Sequence, residues 1–224
     1  MHPRVVELLG RPQWAQRTPE WFERRKTLMT ASDAAGALGI PAWDGQAPGE
    51  SVRRALLAQK VGGTFKGNMY TRHGQDHEDL IRDKVAAIVG DEALDFGLLV
   101  HPELPWLGAS PDGIFASSGL MIEIKAPYKR RIVPGEVPHH YMPQIQCQLE
   151  VCGLDACLFC EWKPPHLSET GLEILNIVTV SRDPAWFEKH RGALHDFWRD
   201  LMHARAVYVP PPPPTTRIID GLYE

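Results

Sequence analysis

At 224 residues, 43% of them hydrophobic, the chain is long enough for one domain with a packed core and small additions. It has no run of eighteen apolar residues to cross a membrane, and its first residues, MHPRVVELLGRPQWAQR, lack the apolar stretch and small-residue cleavage site of a signal peptide. A formal net charge of −4 argues against a protein that coats nucleic acid through bulk basicity, but not against an enzyme with a locally basic groove.

Thr18-Pro19 predicts a helix start, a capping hydroxyl followed by proline in the first turn. Helix is expected over 19–40, restarting at Thr30-Ala31-Ser32-Asp33 before an Ala-rich segment that ends at Gly39. Residues 41–49, rich in Pro and Gly, read as a loop. Residues 50–61 read as a helix with Val52, Leu56 and Leu57 on one side. The clearest helix of this half is 72–89, where His77, Leu80, Ile81, Val85 and Ile88 recur at helical spacing before Gly90. Strand-like runs follow at 94–101, 112–116 and 120–126. A helix is expected at 138–152, strands at 156–162 and 172–180, and a last helix at 183–206. Residues 1–208 thus form a single domain. Residues 209–224 form a tail whose five prolines, 210–214, predict polyproline II.

The chemistry concentrates in Ser110-Pro111-Asp112-Gly113 and Ile122-Glu123-Ile124-Lys125. Alternate side chains of a strand share a face, so Glu123 and Lys125 point together while Ile122 and Ile124 face the core. A hairpin turn around Ser117–Gly119 brings Asp112 alongside. Two carboxylates and one ammonium then converge. Phosphodiester hydrolysis needs this set: hard oxygen ligands for Mg²⁺, and a cation to orient or deprotonate water or to offset developing charge. An E-x-K alone is a common surface ion pair; the ordered set is far more specific.

With these motifs the chain resembles the phage lambda exonuclease and YqaJ-like viral recombinase family, within the PD-(D/E)xK nucleases, over residues 21–150. SPDG…EIK is the core of the resemblance. Arg25 with Met29-Thr30-Ala31-Ser32 resembles the family's Arg…I-T-A-S segment, whose Arg and Ser bind DNA phosphate. His73-Gly74 and His77-Glu78 resemble the helix that brings a further acid to the site. Tyr141-Met142-Pro143-Gln144-Ile145-Gln146 resembles Y-M-x-Q-x-Q, whose first Gln lies in the active centre.

The resemblance implies an α/β restriction-endonuclease-like core, a central mixed sheet flanked by helices. It implies a catalytic set of Asp112, Glu123, Lys125, Glu78 and Gln144. The metal, Mg²⁺ or alternatively Mn²⁺, would sit on Asp112, Glu123 and the Ile124 backbone carbonyl. A 5′-phosphate site would use Arg25, Ser32 and Ser110, with Arg24 the fallback for Arg25. The implied activity is 5′-to-3′ digestion of one strand of linear duplex DNA, leaving 3′ tails for a strand-annealing partner. A homotrimeric ring around DNA in the cytoplasm of a bacterial or phage-infected cell is implied as well.

Each borrowed residue has a plainer alternative. Glu78 and Gln144 could be solvated helix groups, Ser32 an N-cap and Ser110 a turn residue. A capped helix start is itself a phosphate site, so both readings of Ser32 can hold. Lys129, Arg130 and Arg131 are either a solvated loop or a track for the DNA backbone; His139 and His140 read as surface histidines. Cys147, Cys152, Cys157 and Cys160 lie within a short downstream stretch, on a helix and on opposite faces of a strand. That suits reduced thiols in packing rather than an iron–sulfur cluster. Competing functions are an endonuclease of the same fold and a non-catalytic DNA-end-binding scaffold, which would have no need of Asp112, Glu123 and Lys125 together.

Overall fold

The computed structural model of the chain describes residues 1–42, 45–62 and 69–210, apart from the side chains of Tyr70 and Thr71. The proline run beyond Pro210 and the tail after it lie outside the described residues. In chain order come α1 (Pro3–Leu9), α2 (Pro19–Lys26), β1 (Met29–Thr30), a 3-10 turn (Ala31–Asp33), α3 (Ala34–Ala37), α4 (Glu50–Gly62) and α5 (Met69–Val89). Then follow β2 (Ala93–Leu94), β3 (Leu99–Val100), β4 (Leu107–Ala109), β5 (Gly113–Phe115) and β6 (Met121–Lys125). The chain closes with α6 (Met142–Cys152), β7 (Ala156–Lys163), β8 (Ile174–Ser181) and α7 (Pro184–Val207).

Element boundaries have local causes. The Thr18 hydroxyl accepts the Trp21 N–H and Pro19 opens α2, a cap worth about 1 kcal/mol. Gly90 (φ +71°) ends α5 and Gly153 (φ +61°) ends α6, each in the left-handed conformation that costs glycine little. Asp183 caps α7 through the Trp186 N–H.

The strands form two mixed sheets. Five pair in the order β2-β5-β6-β7-β8, with β6 and β7 parallel and the other pairs antiparallel. Three pair as β1-β4-β3, with β1 parallel to β4. The run expected over 94–101 is therefore two strands in different sheets. Between them the chain swings to the N-terminal segment: Gly97 N–H donates to Gln13 Oε1 (2.8 Å) and Leu98 N–H to the Trp14 carbonyl (2.7 Å). A side chain on Gly97 would collide with that carbonyl, so the detour requires glycine.

β6 is central, and four of its five residues are buried. On one face Ile122 and Ile124 pack with Ile81 and Val85 of α5 and with Leu158, Cys160 and Trp162 of β7. On the other face Phe159 and Cys157 pack with Ile145 and Leu149 of α6 and Leu194 and Phe197 of α7. Helices thus cover both faces, as expected of the fold class. The four cysteines are buried free thiols divided between the two cores, Cys160 on the α5 face and the others on the α6 face. Burial pushes the Cys152 and Cys160 thiols up to about 12, so both are neutral packing groups. No helix among the described residues is long and apolar enough to cross a membrane.

Candidate active site

A cleft of about 1250 Å³ opens beside the end of β6, lined by Arg25, Ser32, Glu78, Ser110, Asp112, Glu123, Ile124, Lys125 and Gln144; Arg24, the fallback for Arg25, does not line it and lies over the Trp14 ring. The pairing of β5 with β6, Gly113 opposite Ile122, sets Asp112 just ahead of β5 and beside Ile124. Asp112 Oδ2 accepts the Ile124 N–H at 2.7 Å. The loop carrying Ser110 and Asp112 is tied down twice more. Arg82 of α5 donates to the Asp112 carbonyl (3.1 Å), and Gln16 Nε2 donates to the Pro111 carbonyl (3.0 Å).

Glu123 is 1% exposed, and both of its oxygens are held. Lys125 Nζ lies 2.5 Å from Oε1, Gln144 Nε2 donates to Oε1 at 2.6 Å, and Gln148 Nε2 donates to Oε2 at 2.7 Å. Gln144 and Gln148 are four residues apart, one above the other on a face of α6. Gln148 stands behind the cleft wall and was not anticipated; its spacing from Gln144 is the signal that could have found it. Gln146, the second glutamine of the Y-M-x-Q-x-Q segment, has another job: it ties Ser181 to Asp183, accepting the Asp183 N–H at 2.7 Å.

Burial raises the Asp112 carboxyl well above its ordinary range, and the charges of Glu123 and Glu78 push it further. Burial also raises Glu78, against the pull of Arg17, its ion-pair partner. For Lys125 burial works downward, but the Glu123 and Asp112 carboxylates outweigh it and hold the ammonium above its ordinary value. In this arrangement Lys125 carries a full charge and stabilises anions.

Crowded, buried hard-oxygen donors that repel one another are what a divalent cation relieves, so Asp112, Glu123 and the Ile124 carbonyl fit such an ion in their chemistry. The set is small: among the described residues no group of three or more His, Cys, Asp and Glu side chains converges on one metal position.

A second cluster lines the same cleft. Arg25, in the last turn of α2, donates to Ser32 Oγ (3.0 Å) and lies over the Trp21 ring, 4.3 Å from its centroid. Trp21 Nε1–H donates to Ser110 Oγ at 3.0 Å. Trp21 therefore joins Arg25 to Ser110, a link the sequence did not signal. The basic run 129–131 forms another stretch of wall. Arg130 pairs with Glu161, a buried carboxylate in register with Lys125, and lies over the Tyr141 ring. His77 turns away from the cleft, 4.9 Å from the Trp162 ring.

The model of the YqaJ-like viral recombinase domain matches residues 20–155. Uncharacterized protein R354 of Acanthamoeba polyphaga mimivirus is 29% identical over 170 residues, 68% of this chain. The matched region spans only 30% of that relative's length. Two crystal structures share the fold. An alkaline exonuclease (LHK-Exo) of Laribacter hongkongensis has a TM-score of 0.64 at 24% identity, covering 84% of this chain and 95% of that one. A phage-related exonuclease of Haemophilus somnus 129PT has a TM-score of 0.60 at 14% identity, covering 80% and 95%.

Proposed function

We propose, from the premise that this chain belongs to the YqaJ-like viral recombinase domain family, that it is a metal-dependent deoxyribonuclease. It degrades one strand of linear duplex DNA from the 5′ end and leaves 3′ single-stranded tails for recombination by strand annealing. The observation that carries this reading is the meeting of two clusters in one cleft: Asp112, Glu123 and Lys125 with Gln144, and Arg25, Ser32 and Ser110 with Trp21. The first suits hydrolysis of a phosphodiester. The second suits a terminal phosphate, and an enzyme that grips a chain end has reason to act from it. The similar folds named as exonucleases point the same way.

Asp112, Glu123 and the Ile124 carbonyl would hold Mg²⁺ or Mn²⁺. When bound, the ion supplies polarisation of the phosphate and a lowered water pKa. Lys125 offsets charge on the phosphoryl oxygens, and its ammonium is held in place by Glu123. Gln144 bonds Glu123 through its amide nitrogen, while its oxygen accepts from Lys125 at 3.4 Å, so it fixes the spacing of the two. Glu78, with its raised carboxyl, faces the cleft as a proton carrier or a further oxygen ligand. A homotrimeric ring enclosing the duplex, and an annealing protein that receives the 3′ tail, complete the proposal. A ring would let a net-acidic chain stay on a polyanion through topology rather than charge.

The test incubates the protein and Mg²⁺ with linear duplexes bearing 5′ phosphate or 5′ hydroxyl, a nicked circle and a covalently closed circle. Rapid digestion of the 5′-phosphorylated linear duplex, slower digestion of the hydroxyl form and intact closed circles are expected. Cutting of closed circles would make the protein an endonuclease, and equal rates on both linear duplexes would remove the phosphate site.

A further inference from the structure

Behind the Arg25–Ser32 pair lies a charge pair that does not line the cleft. Asp33 is 8% exposed, and its Oδ2 accepts the Thr30 N–H (2.9 Å) and the Thr30 hydroxyl (2.6 Å). The same oxygen lies 2.5 Å from Nζ of Lys60, which reaches in from α4. The Lys60 backbone is fixed in turn: its carbonyl accepts from Arg205 of α7 at 2.5 Å.

Counting protons gives the direction of the bonds. A hydroxyl has one hydrogen to donate. That of Thr30 goes to Asp33, so at the 3.1 Å contact between Thr30 Oγ1 and Ser32 Oγ the serine is the donor. Ser32 Oγ meanwhile accepts from Arg25. The Ser32 hydrogen therefore rests on a neutral oxygen, which it can leave for an anion in the cleft. Counting charges gives the second half. Asp33 is a buried carboxylate close to Arg25, and by itself it would cancel the arginine. Burial would raise its carboxyl, but the Lys60 and Arg25 charges hold it below the ordinary range, so it is ionised. Lys60 neutralises it and restores one positive charge in excess.

We propose that Asp33 and Lys60 are positioning residues that set the anion affinity of the cleft: Asp33 orients the Thr30 and Ser32 hydroxyls, and Lys60 balances Asp33 so that the charge of Arg25 is available to the ligand. This rests on reading Arg25, Ser32 and Ser110 as a terminal-phosphate site. The alternative is that the pair only braces α4 against the turn at 31–33. The two differ in sign. Bracing alone makes Asp33→Asn and Lys60→Met equally harmful. Charge balance makes only Lys60→Met harmful: in Asp33→Asn the amide oxygen still accepts from the Thr30 N–H and hydroxyl, so the hydroxyls stay oriented while the negative charge beside Arg25 is gone.

The experiment measures the affinity of the full chain for duplex ends with 5′ phosphate and with 5′ hydroxyl, in chelator so that nothing is cut, with melting temperatures alongside. The affinity ratio between the two ends is expected to fall at least about fivefold in Lys60→Met, through the uncompensated carboxylate. It is expected to hold or rise in Asp33→Asn, whatever the melting temperature does. Asp33→Asn/Lys60→Met is expected to return to within about twofold of wild type. Should Lys60→Met not fold, the Asp33→Asn ratio must still equal or exceed that of the double variant. A ratio unchanged in Lys60→Met, or lowered in Asp33→Asn, overturns the proposal. A wild-type ratio near one brings down the phosphate site itself, and the proposal with it.

Discussion

Glu123 and Arg25 line the same cleft but are held in different ways. Glu123 sits on a central strand bonded to β5 and β7, and amides from one helix hold both of its oxygens. Arg25 lies in the last turn of a short helix that buries no residue, and its side chain is bonded to a serine hydroxyl and stacked on a tryptophan ring. Opening a strand between two others breaks the sheet, whereas shifting α2 breaks side-chain contacts at the surface. The lesson is that Glu123 and Lys125 are placed by a strand paired on both sides, and Arg25 by contacts between side chains. By this argument the first arrangement is the stiffer, because displacing it costs more contacts than displacing the second.

The largest effects should come from the stiff side. Asp112→Ala, Glu123→Ala and Lys125→Ala are each expected to slow digestion of 5′-phosphorylated duplex at least about a hundredfold, from loss of a metal ligand or a charge stabiliser. Initial rates measure this, and near-wild-type cleavage by any one variant removes that residue from the mechanism.

An intermediate effect is expected from Gln148→Leu, which keeps the volume but leaves Glu123 Oε2 without its donor. We expect kcat to drop about tenfold or more, as when the support of a metal ligand is lost. Should the loss fall on KM alone, Gln148 serves recognition and the comparison blurs.

The smallest effect belongs to the looser side. Trp21→Phe keeps a ring under Arg25 but removes the bond to Ser110. A loss of about 1 kcal/mol, or about fivefold, is expected in the preference for 5′-phosphate over 5′-hydroxyl ends in paired digestion rates. A preference unmoved by this change would mean that Ser110 is placed without Trp21.

How much could be read from the chain follows the same division. The β5–β6 hairpin, the shared face of Glu123 and Lys125, and α5, α6 and α7 were legible because period-2 and period-3.6 patterns act over short distances. All nine site residues assigned from the sequence reach one cleft; the grouping of Asp112, Glu123 and Lys125 was read from the motif itself, while the roles of the other six rest on the resemblance. Three features were not legible. The helix α1 is two turns long, with only Val5 and Leu8 as a pattern, and Arg4 fastens it to the distant Cys152 carbonyl at 2.7 Å. Strand β4 is Leu-Gly-Ala, buried throughout, so it shows no alternation. Lys60 and Trp21 look like any helix lysine and tryptophan, because what makes them matter is a partner far along the chain.

The parallel pairing of β6 with β7 carries one more consequence. Parallel neighbours cannot be joined by a tight turn, so the chain must leave Lys125, cross over through α6 and return. The outgoing leg forms part of the cleft wall. Its far half is fastened, with Ile132 buried and Asn176 bonded to both Gly135 and Glu136. Residues 127–131 lie between Lys125 and that anchor, and Arg130 within them is itself tied to the buried Glu161 of β7. For protein engineering this makes the leg a place where substitutions reshape the cleft wall while β6 keeps its place, provided that the Arg130–Glu161 pair is kept.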